Sequence, residues 1–400
     1  MAVKEMELMG THIDMGNVFN RYGENIRAIA RQMHMHPELG LEEHETTALI
    51  RGHMQKLGIE EIDIGLPTGG VFLLRGGDGP SIGLRADIDA LSQNEKSDRP
   101  DCSRVDGVMH ACGHDVHTAG LVGAAMLLAE RREELRGDVV FLFQPAEETL
   151  RGANAMIEHG LFSRAKLDML FGLHNSPQLM IGTVGVREGH LMAAKDLYKA
   201  RIIGRGGHSS APHRNIDPVI AACAAVQGVH SIISRNVDPL QSAVISVGYL
   251  CGGNPEDMIV DDAVFSGSIR SHAPETRKIV LERLKQVVTG AAEAYGCTSE
   301  LELFSSSPAV DNPSALVPIA RCAAQSIVGE GNVVVPALNM ASEDFALLAQ
   351  HAPAFFYFLG SGTPGRENHP WHHPQFAAHP DTPLYGAALL AQSVLCAQGC

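Results

Sequence analysis

A chain of 400 residues, 45% of them apolar, has the length for two or three domains and the material for a sizeable core. Its 31 lysines and arginines face 46 aspartates and glutamates, a formal charge of −15, which argues against nucleic acid and anionic membranes as partners. No apolar run reaches the roughly 20 residues that span a bilayer. The charged start Met1–Glu7 lacks the apolar segment of a signal peptide. Eight scattered cysteines without a CxxC pair read as reduced thiols of a cytoplasmic protein, most of them small buried hydrophobes.

In chain order, residues 17–36 predict an amphipathic helix, with Val18, Tyr22, Ile26, Ile29 and Met33 near helical spacing and Pro37 ending it. Glu42–Leu57 predicts a second helix closed by Gly58. Val71–Arg75 and Ser81–Arg85 read as strands about the turn Gly76–Pro80, and the second runs into Asp87-Ile88-Asp89. After an irregular polar stretch, Met109-His110-Ala111-Cys112-Gly113-His114-Asp115-Val116-His117 packs three histidines, a cysteine and an aspartate into nine residues. Cys112 and His114 alternate around a glycine, so on extended backbone both face one metal ion. The competing reading is a buried loop whose Asp115 caps the following helix. That helix, Thr118–Glu130, is almost wholly apolar and is expected to be buried.

Val139–Phe143 is the next strand, and it leads into Gln144-Pro145-Ala146-Glu147-Glu148. The apolar run Leu167–Leu173 ends at His174. Three apolar strands therefore deliver metal-capable residues at their carboxyl ends: Asp87 and Asp89, Glu147 and Glu148, and His174. Alternating strands and helices predict a doubly wound, mostly parallel sheet, whose ligands bind outside those ends. From residue 186 to 304 the order becomes strand–helix–strand–strand–helix–strand, the ferredoxin-like split pattern of an inserted second domain. Its first strand leads into Gly206-Gly207-His208-Ser209, and it includes a strand that ends at Arg270. Residues 305–400 return to the first domain, so the boundaries read 1–185, 186–304 and 305–400. Predicted there are helices over Leu316–Val328 and Ser342–Gln350, a strand over Ala354–Leu359, the His372-His373-Pro374 turn, and a terminal helix from Pro383.

Each residue also has a plainer reading. Asp87 and Asp89, two apart on extended chain, point the same way and repel unless a cation lies near; otherwise they make a strand-end turn. Glu147 and Glu148 suit a division between a metal ligand and a proton-accepting base, or else the first turn of a helix. His174 alone reads as a core residue, and the tandem histidines as a surface loop. His208 reads as part of a flexible turn, Arg270 as a solvated edge residue or a carboxylate anchor, and Ser342-Glu343-Asp344 as a helix cap.

Taken together, the stretches His36-Pro37-Glu38-Leu39-Gly40, Leu84–Leu91, Met109–Asp115, Phe143–Glu148, Gly172-Leu173-His174, Gly206–Ser209, Ser342–Phe345 and His372–Pro374 resemble the bimetal aminoacylase/carboxypeptidase family of peptidases. The similar branch is that of hippurate hydrolases, N-acyl-amino-acid amidohydrolases and auxin-conjugate hydrolases. The resemblance spans about residues 20–395. It implies metal ligands at Cys112, His114, Glu148, His174 and His372, a general base at Glu147, and an aspartate orienting a ligand at Asp89. It also implies an oxyanion-stabilising lid histidine at His208, often acting across a dimer. Two divalent ions are implied, with Zn, Mn, Co and Ni all open because Cys112 is a soft ligand and Glu148 a hard one. The implied reaction is hydrolysis of a small N-acyl or N-aroyl amino acid, or alternatively of a dipeptide or an aryl amine. A homo-oligomer through the second domain is expected. Ser92, where relatives often have Pro, and Asp257, near a motif where they carry Asn, depart from the pattern, and Asp257 disfavours a substrate carboxylate close by.

Overall fold

The computed structural model of the protein describes residues 12–253 and 257–399. The start Met1–Glu7 and Cys400, both part of the sequence reading, lie outside them. The chain forms two compact units. Of the described residues, the first takes those within Met1–Gly189, Asp311–Ala337 and Leu347–Cys400; the second takes His190–Val310 and Leu338–Ala346.

The main elements in chain order are α1 (Gly23–Met35), α2 (His44–Lys56), β1 (Gly70–Leu74), β2 (Ile82–Asp87), α3 (His114–Glu130), β3 (Val139–Gln144) and β4 (Met169–Met180). The second unit contributes β5 (Ala194–Ile203), α4 (Pro218–Asn236), β6 (Ala243–Gly252), β7 (Asp262–Ser271), α5 (Pro274–Ala294) and β8 (Thr298–Ser307). The first unit resumes with α6 (Val317–Val328), β9 (Ala354–Gly362) and α7 (Thr382–Ala397).

The first unit is built on a mixed eight-stranded sheet in the order Glu60–Glu61, β1, β3, β2, β4, β9, Val184–Gly185, Val333–Val334. Its centre is parallel: β3, β2, β4 and β9 all run one way. Beyond that centre the sheet is mixed, with Val333–Val334 parallel to Val184–Gly185. β1 is antiparallel to β3, and Val184–Gly185 is antiparallel to β9. β1 and β2, neighbours in sequence, are not partners, because β3 inserts between them; their separating turn thus closes no hairpin. Every residue of β2, β3 and β9 is buried, which is why β3 and β9 read as largely continuous apolar runs with no alternation.

α3 buries almost its whole circumference, as a helix apolar on all sides must. Close approach is possible because its Gly123 sits against Ala387 of α7 and Ile26 of α1. The predicted 17–36 helix is realised in three pieces: Met15–Asn17, a π-helical Val18–Tyr22, and α1. Asp14 opens it, accepting the amides of Gly16 and Asn17 at 3.0 and 3.2 Å.

The second unit is a four-stranded antiparallel sheet in the order β6, β7, β5, β8, with its own apolar core between the sheet and helices α4 and α5. Asp217 caps α4 by accepting the amide of Val219 at 2.9 Å, with Pro218 at the first helical position.

Three expectations need correction. Ser342–Gln350 contains only the short helix Phe345–Leu348, opened by Glu343, whose carboxylate accepts the Phe345 amide at 3.0 Å. His174 lies inside β4, not at its end. The cysteines are mostly not buried: Cys223, Cys251 and Cys322 are exposed, Cys102 and Cys396 intermediate, and of those described only Cys112 and Cys297 are buried. No described helix is long and apolar enough to cross a membrane.

Candidate metal centre

The parallel core of the sheet aims its carboxyl ends at one buried cluster in the first unit. β2 delivers Asp87 and, two residues on, Asp89. β3 leads through Pro145 to Glu147 and Glu148. β4 carries His174, and the loop before α3 carries Cys112 and His114. His372 joins from the segment after β9, where its amide donates to the Ala111 carbonyl at 2.9 Å and ties that segment to the cysteine loop.

Of the five groups of potential ligand atoms among the described residues, each with all atoms within 4.8 Å of one another, three share Cys112, His114 or Glu148 around the cluster: Cys112, His114 and His174; Cys112, Glu148 and His372; His114, Glu147 and Glu148. The Cys112 Sγ lies 3.4 Å from His174 Nε2, and His372 Nε2 lies 3.3 Å from Glu148 Oε2. His114 Nε2 and Glu148 Oε1 are 3.7 Å apart. Both are buried polar atoms without a hydrogen-bond partner. Buried polar atoms are rarely left unmet. Two of them facing each other among carboxylates, imidazoles and a thiol fit a donor set for divalent cations.

The surrounding hydrogen bonds orient these groups. His114 Nδ1 donates to Asp89 Oδ1 at 3.2 Å, which leaves Nε2 on the side of Glu148. The other Asp89 oxygen accepts the Glu148 amide at 3.0 Å, so one carboxylate braces two candidate ligands. His174 Nδ1 donates to the Asn175 carbonyl at 2.8 Å, turning Nε2 toward Cys112. His117 is engaged on both sides. Its Nδ1 donates to Asp87 Oδ1 at 2.6 Å, and its Nε2 accepts from the Asn175 amide at 2.9 Å. Asp87 also accepts from buried Arg85 at 2.8 Å. Asp87 and His117 thus form a closed hydrogen-bonded support behind the cluster.

The electrostatics follow. Burial, then the negative charges of Glu148, Glu147 and Asp87, push the Cys112 thiol well above its usual range. Burial works to lower His114, but Asp87, Asp89 and Glu148 prevail and raise it to about 10. Burial alone would raise Glu148; hydrogen bonding from His372 and the charge of His114 hold it down instead. His174 is pushed well below its usual range by burial and by His117. The site is short of positive charge. A proton on His114 serves where a cation would otherwise serve.

The backbone is strained at this point. Ala146, Leu150 and His372 have φ of 49°, 55° and 62°, in the left-handed region that non-glycine residues seldom adopt. Gly113, at φ 85°, starts α3 where a Cβ would collide with the Asn175 side-chain amide. The Cys-Gly-His segment is therefore not extended. Cys112 and His114 reach one cluster because the chain turns sharply between them, and His114 is the first residue of the helix. Nor does Asp115 cap that helix: it accepts from His34 Nδ1 at 2.8 Å.

Cys112, His114, Glu147, Glu148, His174, His372 and Asp89 are thus brought together. His208 and Arg270 belong to the second unit. His208 is exposed on the short strand Gly207–His208, paired with Met258–Ile259, and its Nδ1 is 2.9 Å from the Ser210 hydroxyl. Arg270 is half-buried in β7, where it donates to the Met340 carbonyl at 3.3 Å and burial pushes its guanidinium down. Asp257 accepts from the Ser209 hydroxyl beside His208.

Sequence reasoning passed over several supports. Glu43, fully buried, accepts the Ala146 amide at 2.8 Å and the Thr68 hydroxyl at 2.7 Å, holding the turn before Glu147. Asn175 donates to the Cys112 carbonyl at 2.6 Å. Trp371 donates to the Asn175 carbonyl at 3.1 Å, with its ring edge-on to His174 at 4.5 Å. Nothing local marks Asn175 as more than a strand residue.

Compared with known proteins, residues 83–395 match the family described as Peptidase family M20/M25/M40. The chain belongs to that peptidase family. It is 42% identical over 349 residues to an N-acetylcysteine deacetylase of Bacillus subtilis, covering 86% of this chain and 90% of that one. It is 36% identical over 368 residues to the IAA-amino acid hydrolase ILR1-like 4 of Arabidopsis thaliana, covering 91% and 83%. Among solved structures, a dinuclear metal-binding peptidase of the M20 family from Bacillus subtilis is similar at a TM-score of 0.82 and 36% identity, covering 94% of this chain and 99% of that chain. The family is one of C–N bond hydrolases, and the chain is an enzyme of it.

Proposed function

We propose that this M20-family enzyme is a metal-dependent amidohydrolase that cleaves the amide bond of a small N-acyl or N-aroyl amino acid. Cys112, His114, Glu148, His174 and His372 hold two divalent ions, and Glu147 is the general base. The observation that carries this is the pair of unpartnered buried atoms, His114 Nε2 and Glu148 Oε1, inside three overlapping donor groups. The deacetylase and conjugate-hydrolase names of relatives supply the substrate class.

Bound there, divalent ions supply acidity to a water and polarise the scissile carbonyl. Glu147, next in sequence to the ligand Glu148, accepts the proton of the attacking water and returns it to the leaving amine. Asp89 keeps His114 in the tautomer that presents Nε2 as a lone pair. Residues 186–304 act as a ferredoxin-like lid and dimerisation domain, with His208 stabilising the oxyanion and Arg270 binding the substrate carboxylate. The exposed Val244, Tyr249 and Leu250 on edge strand β6 favour that face for subunit pairing. We place the enzyme in the cytoplasm, as the scattered cysteines without a CxxC pair suggest.

Glu147→Gln is expected to abolish turnover of N-acyl amino acids while leaving metal content near wild type, read by elemental analysis. Full retained turnover would remove Glu147 as the base. A panel of hippurate, N-acetyl amino acids, dipeptides and aryl amides ranks this reading against the alternatives of a dipeptidase and of a hydrolase of another C–N bond.

A further inference from the structure

One pair of cysteines stands apart from the catalytic cluster. Cys322 lies on α6 and Cys396 on α7, both in the first unit. Their sulfurs are 3.1 Å apart. A disulfide holds them near 2.05 Å, so the bond needs a closing of about 1 Å, a displacement side-chain rotation can supply. Cys322 is exposed and Cys396 is half-buried. The buried stripe of α6 is Ala320, Ala323, Ala324 and Ile327. Cys322 therefore sits at the rim of the helix contact, where a reagent in solution reaches one sulfur and the second waits behind it. That asymmetry is the arrangement in which one thiol reacts first with the reagent and its neighbour resolves the adduct.

We propose that Cys322 and Cys396 are a redox modification site, closed by small-molecule disulfides into an intrachain bond that clamps α7 to α6. The Cys322 thiolate attacks the small disulfide, forming a mixed disulfide and releasing one small thiol. The Cys396 thiolate then attacks the Cys322 sulfur of that adduct and releases the second. Two protein thiols are oxidised and one small disulfide is reduced to two thiols, with two protons passing from protein to products. The ring so closed contains β9 and His372, and α7 packs along α3, whose first residue is His114. Closing a long ring restrains the unfolded chain, so the oxidised protein withstands heat better.

The test uses the metal-loaded full chain carrying Cys400→Ser, because trypsin cuts at Arg366 and would leave Cys396 and Cys400 in one peptide. After incubation with oxidised glutathione and non-reducing digestion, peptides 322–366 and 367–400 are expected joined. The melting temperature is expected to rise by several degrees, reversibly with dithiothreitol. Cys322→Ser and Cys396→Ser should each abolish both effects. A glutathione adduct persisting on Cys322 without the joined peptides would overturn the proposal. So would a rise in melting temperature that survives Cys396→Ser, or a melting temperature unmoved by the bond.

Discussion

Replacing Asp89 by Asn tests the bracing of the metal centre most directly. The carboxylate accepts from His114 Nδ1 at 3.2 Å and from the Glu148 amide at 3.0 Å, and it is buried. Asn keeps the shape but offers a single acceptor oxygen and no charge, so one of the two contacts is lost or reversed. A hydrogen bond to a charged group contributes about 1.5–3 kcal/mol. At about 1.4 kcal/mol per tenfold, divalent-metal affinity should weaken roughly 10- to 100-fold, the range found for second-layer partners elsewhere. The assay is competition of the metal-free protein with a chromogenic chelator, with circular dichroism as a check on folding. An unchanged affinity in a folded Asp89→Asn variant would refute the claim that Asp89 braces His114 and Glu148.

Cys112→Ala should lower metal stoichiometry, because the Cys112 sulfur belongs to two of the donor groups; an unchanged metal count by elemental analysis removes it from the ligand set. Mixing inactive Glu147→Ala and His208→Ala chains should restore part of the activity if His208 serves the partner subunit's site, and no recovery assigns it a same-chain role or none. A pH prediction comes from the buried pair behind the site, where His34 bonds Asp115 and lies 3.2 Å from Glu95. Burial would lower His34, but Asp115 and Glu95 raise it to about 9. Its stabilisation is therefore full below its unfolded value of about 6.5 and is lost as pH rises through about 9. His34→Gln, which strands two buried carboxylates, should cost about 3–5 kcal/mol near neutrality. Urea unfolding at pH 7 and 9.5 should show the gap to wild type narrowing at the higher pH, and a constant gap would count against a charged His34.

Much of the centre was legible because its chemistry is local. Cys112 with His114, Glu147 with Glu148, and Asp87 with Asp89 are each a few residues apart, and the apolar strands before them show which ends they occupy. The strands of the parallel core are apolar on both faces, so their positions were readable while their neighbours were not. Pairing order depends on which strand inserts where, and β3 entering between β1 and β2 leaves no trace in either segment.

By itself the sequence determined that a strand-borne cluster of carboxylates, imidazoles and a thiol exists, and which family of hydrolases it resembles. Only the tertiary structure decided how the candidates divide. His117 and Asp87 satisfy each other with Arg85 and Asn175 and act as support, whereas His114 Nε2 and Glu148 Oε1 remain unmet and face one another. Composition lists donors and acceptors, but which of them are already satisfied depends on residues far apart in sequence. The left-handed turns at Ala146 and His372, and the buried Glu43 that accepts the Ala146 amide, are likewise held by packing from distant segments, which no local pattern records.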